Sequence, residues 1–157
     1  PLYSSAASDV YKRQVLFNSL VRPHYPIPAD ASLIHGITNA MVKDQPTWIE
    51  VWPELRAILA GRQIGIYNAE FDLRMIRQTL SLFQQPWSLP PGTQAFCIMK
   101  LYAQYRGERD FRRGGYRWHS LESAGQQLDI SLPNSHRALD DTRLAKAVLA
   151  RIASEDQ

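Results

Sequence analysis

The chain has 157 residues, of which 45% are hydrophobic and 21% charged, a balance that suits one modest domain built around one core. No apolar run approaches the roughly 20 residues that a membrane helix needs, no signal-peptide pattern opens the sequence, and the lone Cys97 excludes internal disulfides, so a reducing cytoplasm is the expected compartment and no membrane the expected partner. The net charge of +3 and pI near 9.2 are compatible with a polyanionic partner without demanding one.

Residues 1–14 are expected to be a non-native tail. Residues 4–14 read SSAASDVYKRQ, which resembles one reading frame of a transposon-based sequencing adapter, so they are set outside the fold. Residues 15–157 are taken as the domain. Residues 15–21 (VLFNSLV) are rich in apolar, β-favouring types and predict a strand that stops at Arg22-Pro23. Pro23, Pro26 and Pro28 then forbid regular structure until Asp30, the expected cap of a short helix that Gly36 closes. Thr47 with Glu50 three residues on has capping-box spacing, and Trp48, Val51, Trp52, Leu55, Ile58 and Leu59 follow a helical period up to Gly61. Trp48 and Trp52 therefore read as core residues. Residues 63–67 predict a strand, and Asn68 turns the chain into a second amphipathic helix over about residues 71–83. A further strand is expected at 93–98, a helix end and long loop over 100–118, and helices at 120–128 and about 137–152. Strands interleaved with helices indicate an α/β fold without repeats.

Two carboxylates stand out against this pattern. At about 100° per residue, Asp141 shares a stripe with Ala145, Val148 and Ile152, and Asp72 heads a stripe of Ile76, Thr79, Leu80 and Phe83. Each aspartate thus opens a face that must pack inward. Acidic residues are also favoured in first helical turns by the macrodipole, but a carboxylate on a core-facing stripe is costly unless a cation or donors compensate it. Asp140 lies about a third of a turn off the stripe and reads as solvent-facing or as a support behind the ligands rather than a ligand itself.

The strings around these aspartates carry a resemblance. Residues 67–72 (YNAEFD) and 136–141 (HRALDD) closely resemble the second and third motifs of the DEDDh exonucleases, which include the proofreading epsilon subunit of bacterial replicative DNA polymerase and its ribonuclease T-like relatives. Residues 34–38 (IHGIT) match the segment that in the family holds the 3′-terminal nucleotide. The resemblance implies metal ligands at Asp72 and Asp141, a general base at His136, and substrate contacts at His35, Gly36, Thr38, Asn68 and Phe71. It implies two divalent ions, Mg²⁺ or Mn²⁺, and hydrolysis of single-stranded DNA or RNA 3′ ends to nucleoside 5′-monophosphates. It leaves DNA against RNA, and association with a DNA polymerase, open.

The chemistry accounts for these residue types. Attack of water on a phosphodiester needs charge neutralisation, which hard cations on carboxylate oxygens supply, and a base titrating near neutrality, which histidine supplies. Five residues separate His136 from Asp141, so His136 is expected on the loop after Pro133-Asn134, bent back toward the site. Residues 100–118 mix arginines with aromatic rings, as suits single-stranded nucleic acid or equally a solvated loop over buried rings. Cys97 reads as a buried small residue.

One part of the family pattern has no match. The first motif, an Asp-x-Glu on the opening strand, normally supplies two of four carboxylates. Asp9 has no glutamate partner, and Asp30, Asp44, Glu50 and Glu54 fall on loops or helices. The resemblance also implies a ribonuclease H-like mixed sheet, ordered 3-2-1-4-5 and flanked by helices. Residues 15–21 would be its third strand, with the first two absent. The fragment is therefore expected to be unstable and essentially inactive, and a non-catalytic nucleic-acid-binding or polymerase-associated module is the alternative.

Overall fold

The computed structural model describes residues 4–10, 12, 14–112, 114–133 and 136–155. Arg113 in the basic stretch, Asn134 before His136, and residues 11 and 13 of the opening segment lie outside the described residues. The elements run β1 (Ser4–Ser8), β2 (Val15–Leu20), α1 (Ala29–His35), α2 (Asn39–Val42), α3 (Trp48–Leu59), β3 (Gln63–Ile66), α4 (Ala69–Leu82), β4 (Gln94–Cys97), α5 (Ile98–Arg106), α6 (Leu121–Gln127) and α7 (Ala138–Glu155). This is the α/β class expected, with each predicted element recovered to within a few residues.

The opening segment differs from its expectation. Ser4–Ser8 is not outside the fold but forms β1, antiparallel to β2, with Ser4 opposite Leu20 and Ala7 opposite Phe17. The physical reason is that a strand edge offers backbone donors and acceptors to any extended segment, whatever its side chains. Small Ser and Ala side chains also let a helix approach closely. From α7, Ala138 N–H donates to Ser4 Oγ at 3.3 Å, Thr142 Oγ1 to the Ala6 carbonyl at 3.5 Å, and Lys146 Nζ to Ser8 Oγ at 3.4 Å. Those three helical residues span about 12 Å at the α-helical rise, close to the about 13 Å spanned by Ser4–Ser8 in extended form. The helix stripe and the strand match in length.

The sheet is in two parts. β1 and β2 form one pair, and β3 and β4 form a second, parallel pair with Gln63 opposite Gln94 and Ile66 opposite Cys97. With β2 as the third strand of the expected order, β1 stands at the second. Among the described residues no strand joins it to β3.

Local sequence explains the helix starts. Thr47 N–H donates to Glu50 Oε2 at 2.6 Å, the reciprocal half of the capping box that opens α3. α1 starts earlier than expected. Pro28, at φ −61° and ψ 148°, is its N-cap, and the Asp30 carboxylate accepts from Ala31 N–H at 2.9 Å inside the first turn. Proline is pre-set for entry to a helix, so the chain turns before it reaches Asp30. Gly36 ends α1 in the left-handed region at φ 67°.

The core is divided like the sheet. Phe17, Val21, Trp48, Trp52 and Leu80 belong to one cluster, where the Trp48 and Trp52 rings stack at 5.6 Å. Ile98, Tyr102, Ala124, Ala145, Val148 and Ile152 belong to another. Thus α4 is seated in the first cluster by Leu80 and α7 in the second by Val148, both fully buried. Truncation of Leu80 to Ala should cost about 2–5 kcal/mol, through lost burial and the cavity left behind. A urea melt checks this; a loss below about 1 kcal/mol would mean that α4 is seated by other contacts.

Candidate active site

Asp72 and Asp141 each end their motif string and lie in the first turns of α4 and α7, near enough for the Asp141 charge to act on Asp72. Asn68 is the N-cap of α4, and its carbonyl accepts from Phe71 and Asp72 N–H at 3.0 and 3.1 Å. Arg137 plays the same backbone part for α7, its carbonyl accepting from Asp141 N–H at 3.0 Å. Both aspartates are partly buried, and their stripes point inward as the helical period requires. Leu80 is buried below Asp72, and Ala145, Val148 and Ile152 below Asp141.

The electrostatics record the closeness of the pair. Burial pushes the Asp72 carboxyl up to about 6; the N–H of its own residue works against that, and the Asp141 charge adds to it. Burial also raises Asp141, opposed by the His136 charge and by a hydrogen bond from the His136 backbone N–H, and reinforced by Asp140. Asp141 Oδ1 is buried with no hydrogen-bond partner among the described residues. An acceptor oxygen held out of water without a donor suits a hard cation. Among the described residues no group of three or more His, Cys, Asp and Glu is arranged to hold a metal.

His136 lies outside the helix, as expected, with φ at 55° and its side chain exposed. The positive φ turns its N–H back onto the Asp141 carboxylate. His35, the last residue of α1, reaches the same cluster: burial and the charges of Arg137 and His136 hold its imidazole below the ordinary histidine range. The Ile37 N–H donates to His35 Nδ1 at 3.0 Å. Gly36 follows directly.

The remaining predicted substrate residues adjoin this cluster along the chain. Thr38 caps α2, accepting from Met41 N–H at 3.4 Å, and is exposed. Phe71 is 47% exposed, with the Arg74 guanidinium 5.7 Å from its ring. Asp140 pairs with Arg143 at 3.8 Å, in keeping with its off-stripe position.

Two residues were not singled out from sequence. Arg137 donates from Nε to the His35 carbonyl at 3.0 Å and from Nη2 to the Gly36 carbonyl at 3.2 Å. Tyr67, the first residue of the YNAEFD string, sends its hydroxyl to the carbonyls of His119 and Ser120, each at 3.1 Å. Their partners lie 102 or 101 and 52 or 53 residues away, so no local pattern could announce them. Cys97 is half-buried rather than buried, because its thiol reaches out to the Tyr67 carbonyl at 3.3 Å.

The basic stretch has a buried root and an exposed tip. At its root Tyr102 is fully buried, and Glu108 meets Arg106 at 2.8 Å, His119 at 3.7 Å and Arg117 at 3.9 Å. The Arg106 hydrogen bond holds the Glu108 carboxyl below its ordinary range. At its tip Phe111 is 95% exposed, and the Arg109 guanidinium lies 4.9 Å from the Tyr116 ring.

The sequence profile of the exonuclease family of RNase T type matches residues 7–149. The chain belongs to this exonuclease family. It is 37% identical over 143 residues to an uncharacterized exonuclease, CP81, of Escherichia phage 186, covering 88% of this chain and 73% of that protein. It is 28% identical over 129 residues to the DNA polymerase III subunit epsilon of Treponema pallidum, covering 82% of this chain but 56% of that subunit. Exonuclease X, solved in complex with 5′ overhanging duplex DNA, superposes with a TM-score of 0.69 at 26% identity, over 98% of this chain and 82% of that one. Cell-death related nuclease 4 shares the fold, with a TM-score of 0.75 at 15% identity over 97% of this chain and 55% of that one. The chain is therefore an epsilon-like nuclease domain of ribonuclease H-like fold. No helix among the described residues is long and apolar enough to cross a membrane.

The burial of Asp72 carries a stability signature. A carboxyl whose folded pKa is raised binds its proton more tightly in the folded state, so stability falls as pH rises from 3.8 through about 6. Without divalent cations, Asp72→Asn should raise stability at pH 7.5 by up to roughly 3 kcal/mol, a gain that shrinks through pH 6 and vanishes below pH 4. Denaturant melts across that range check it. Equal effects at pH 4 and pH 7.5 would show that charge burial is not the cause.

Proposed function

We propose that this chain works on the 3′ ends of single-stranded nucleic acid as a metal-dependent 3′→5′ exonuclease, releasing nucleoside 5′-monophosphates. The observation that carries the reading is the nearness of Asp72 and Asp141, two partly buried carboxylates on separate helices, with one oxygen of Asp141 lacking a donor among the described residues. In this reading Asp72 and Asp141 hold divalent metal, Mg²⁺ or Mn²⁺. Such ions, two in the family, would neutralise phosphodiester charge and lower the pKa of water.

The other roles fall to the protein's own residues. His136, exposed beside Asp141, accepts the proton of the attacking water. His35, Gly36 and Thr38 receive the terminal nucleotide, with Asn68 orienting it and the exposed Phe71 ring offering a stacking surface. Arginines around Phe111 meet phosphates further along the strand. Likeness to exonuclease X supports a nucleic-acid end as substrate, and likeness to epsilon subunits supports a polymerase as partner. Free Cys97 supports a cytoplasmic setting.

Residues 1–14 are proposed to be foreign to the parent protein even though Ser4–Ser8 pairs with β2. Two carboxylates are half of the family's ligand set, so the chain by itself should bind a strand and hydrolyse it only in trace amounts. That two-ligand count equally favours the second reading, a non-catalytic module that binds nucleic acid or a polymerase.

A 5′-labelled single strand with Mn²⁺ tests these claims. Trace products shortened from the 3′ end are expected. Robust hydrolysis abolished by Asp141→Ala would overturn the incomplete-site claim, and shortening from the 5′ end would overturn the polarity. A version of the chain supplied with an Asp-x-Glu strand should cleave strongly; if it binds without cleaving, the second reading stands.

A further inference from the structure

We infer that Arg137 is a positioning residue, its guanidinium locking the His35–Gly36 turn to the backbone that carries His136 and Asp141. This rests on the proposed 3′-end function and adds the device that holds the two halves of the site in register.

The geometry is specific. Nε and Nη2 of one guanidinium donate to two successive carbonyls, His35 at 3.0 Å and Gly36 at 3.2 Å. A planar fork can serve both at once, whereas an ammonium acts as a point charge. Both carbonyls stand at the C-terminus of α1, where the last carbonyls have no helical donor and a cation is favoured. Charge-assisted bonds of this kind are stronger than neutral ones.

Gly36 is shaped for the contact. A Cβ on Gly36 would sit 3.0 Å from Arg137 Nη2, and its φ of 67° also disfavours any side chain. At the other end of the same residue, the Arg137 carbonyl accepts the Asp141 N–H at 3.0 Å and begins the helix. One residue therefore fixes both the turn and the first turn of α7. With the His35–Gly36 peptide held, the Ile37 N–H stays on His35 Nδ1. In neutral His35 that leaves the proton on Nε2, a donor of fixed direction.

The alternative is an ordinary surface arginine that merely adds stability. The two differ in what they do to end recognition. The probe is a 5′-fluorescein-labelled dT8 strand ending in a 3′-hydroxyl, compared with the same strand ending in a 3′-phosphate, read by anisotropy with Ca²⁺ present. The unsubstituted chain should bind the hydroxyl end at least about tenfold more tightly. Arg137→Ala should reduce that preference to about twofold or less while the phosphate-ended strand binds as before. Arg137→Lys should recover only part of it.

If the unsubstituted chain shows no preference, the 3′-end function fails and the clamp fails with it. If the preference is present but survives Arg137→Ala, the clamp alone is overturned. Uniform weakening on both strands by Arg137→Ala and Arg137→Lys would also overturn it, in favour of a general electrostatic or stability role.

Discussion

The phase of the apolar stripe on α7 is the constraint from which the site follows. Val148 and Ile152 must be buried against Ile98, Tyr102 and Ala124, and that fixes the rotation of the helix. Once it is fixed, Asp141 has no choice but to face inward, two turns above Val148. The same holds for α4, where the burial of Leu80 sets the direction of Asp72. Hydrophobic packing worth a few kcal/mol per residue thus holds a carboxylate pair whose own burial opposes folding. The helices that carry the pair are anchored in different clusters, α4 by Leu80 and α7 by Val148.

This arrangement ties function to an energetic conflict. Burial raises the carboxyl of Asp72 to about 6, and Asp141 Oδ1 has no donor among the described residues. A site that is costly when empty of positive charge gains most when positive charge arrives. Nearby groups supply some compensation without removing the conflict: the His136 N–H reaches Asp141, and Arg137 sends its guanidinium away, to the carbonyls of His35 and Gly36. That division of labour leaves the carboxylate oxygens available for an external cation.

Much of this was legible in the sequence, and the parts that were share a cause. The stripes below Asp72 and Asp141, the Thr47 capping box and the stop at Gly36 are all set by residues within a few positions of one another. Local sterics and periodicity determine them. The strand at Ser4–Ser8 was not legible because its partner is a backbone edge, and serine and alanine carry little strand signal of their own. The Arg137 contacts were hidden for the opposite reason: the motif was plain, but its partner lay on α1, about a hundred residues earlier. The division of the sheet follows the missing match to the family's first motif, since the gap between β1 and β3 falls where the expected order puts that strand.

The most direct test of the account is whether Asp72 and Asp141 share one cation. In an ¹⁵N-labelled sample at pH 7, substoichiometric Mn²⁺ should broaden the amides around Asp72 and Asp141 together, at a single saturable site, with those around Phe111 and Trp52 unaffected. Asp72→Asn should weaken the broadening at Asp141 as much as at residue 72. Broadening that is confined to one aspartate, or that persists at Asp141 in the Asp72→Asn chain, would contradict a shared site.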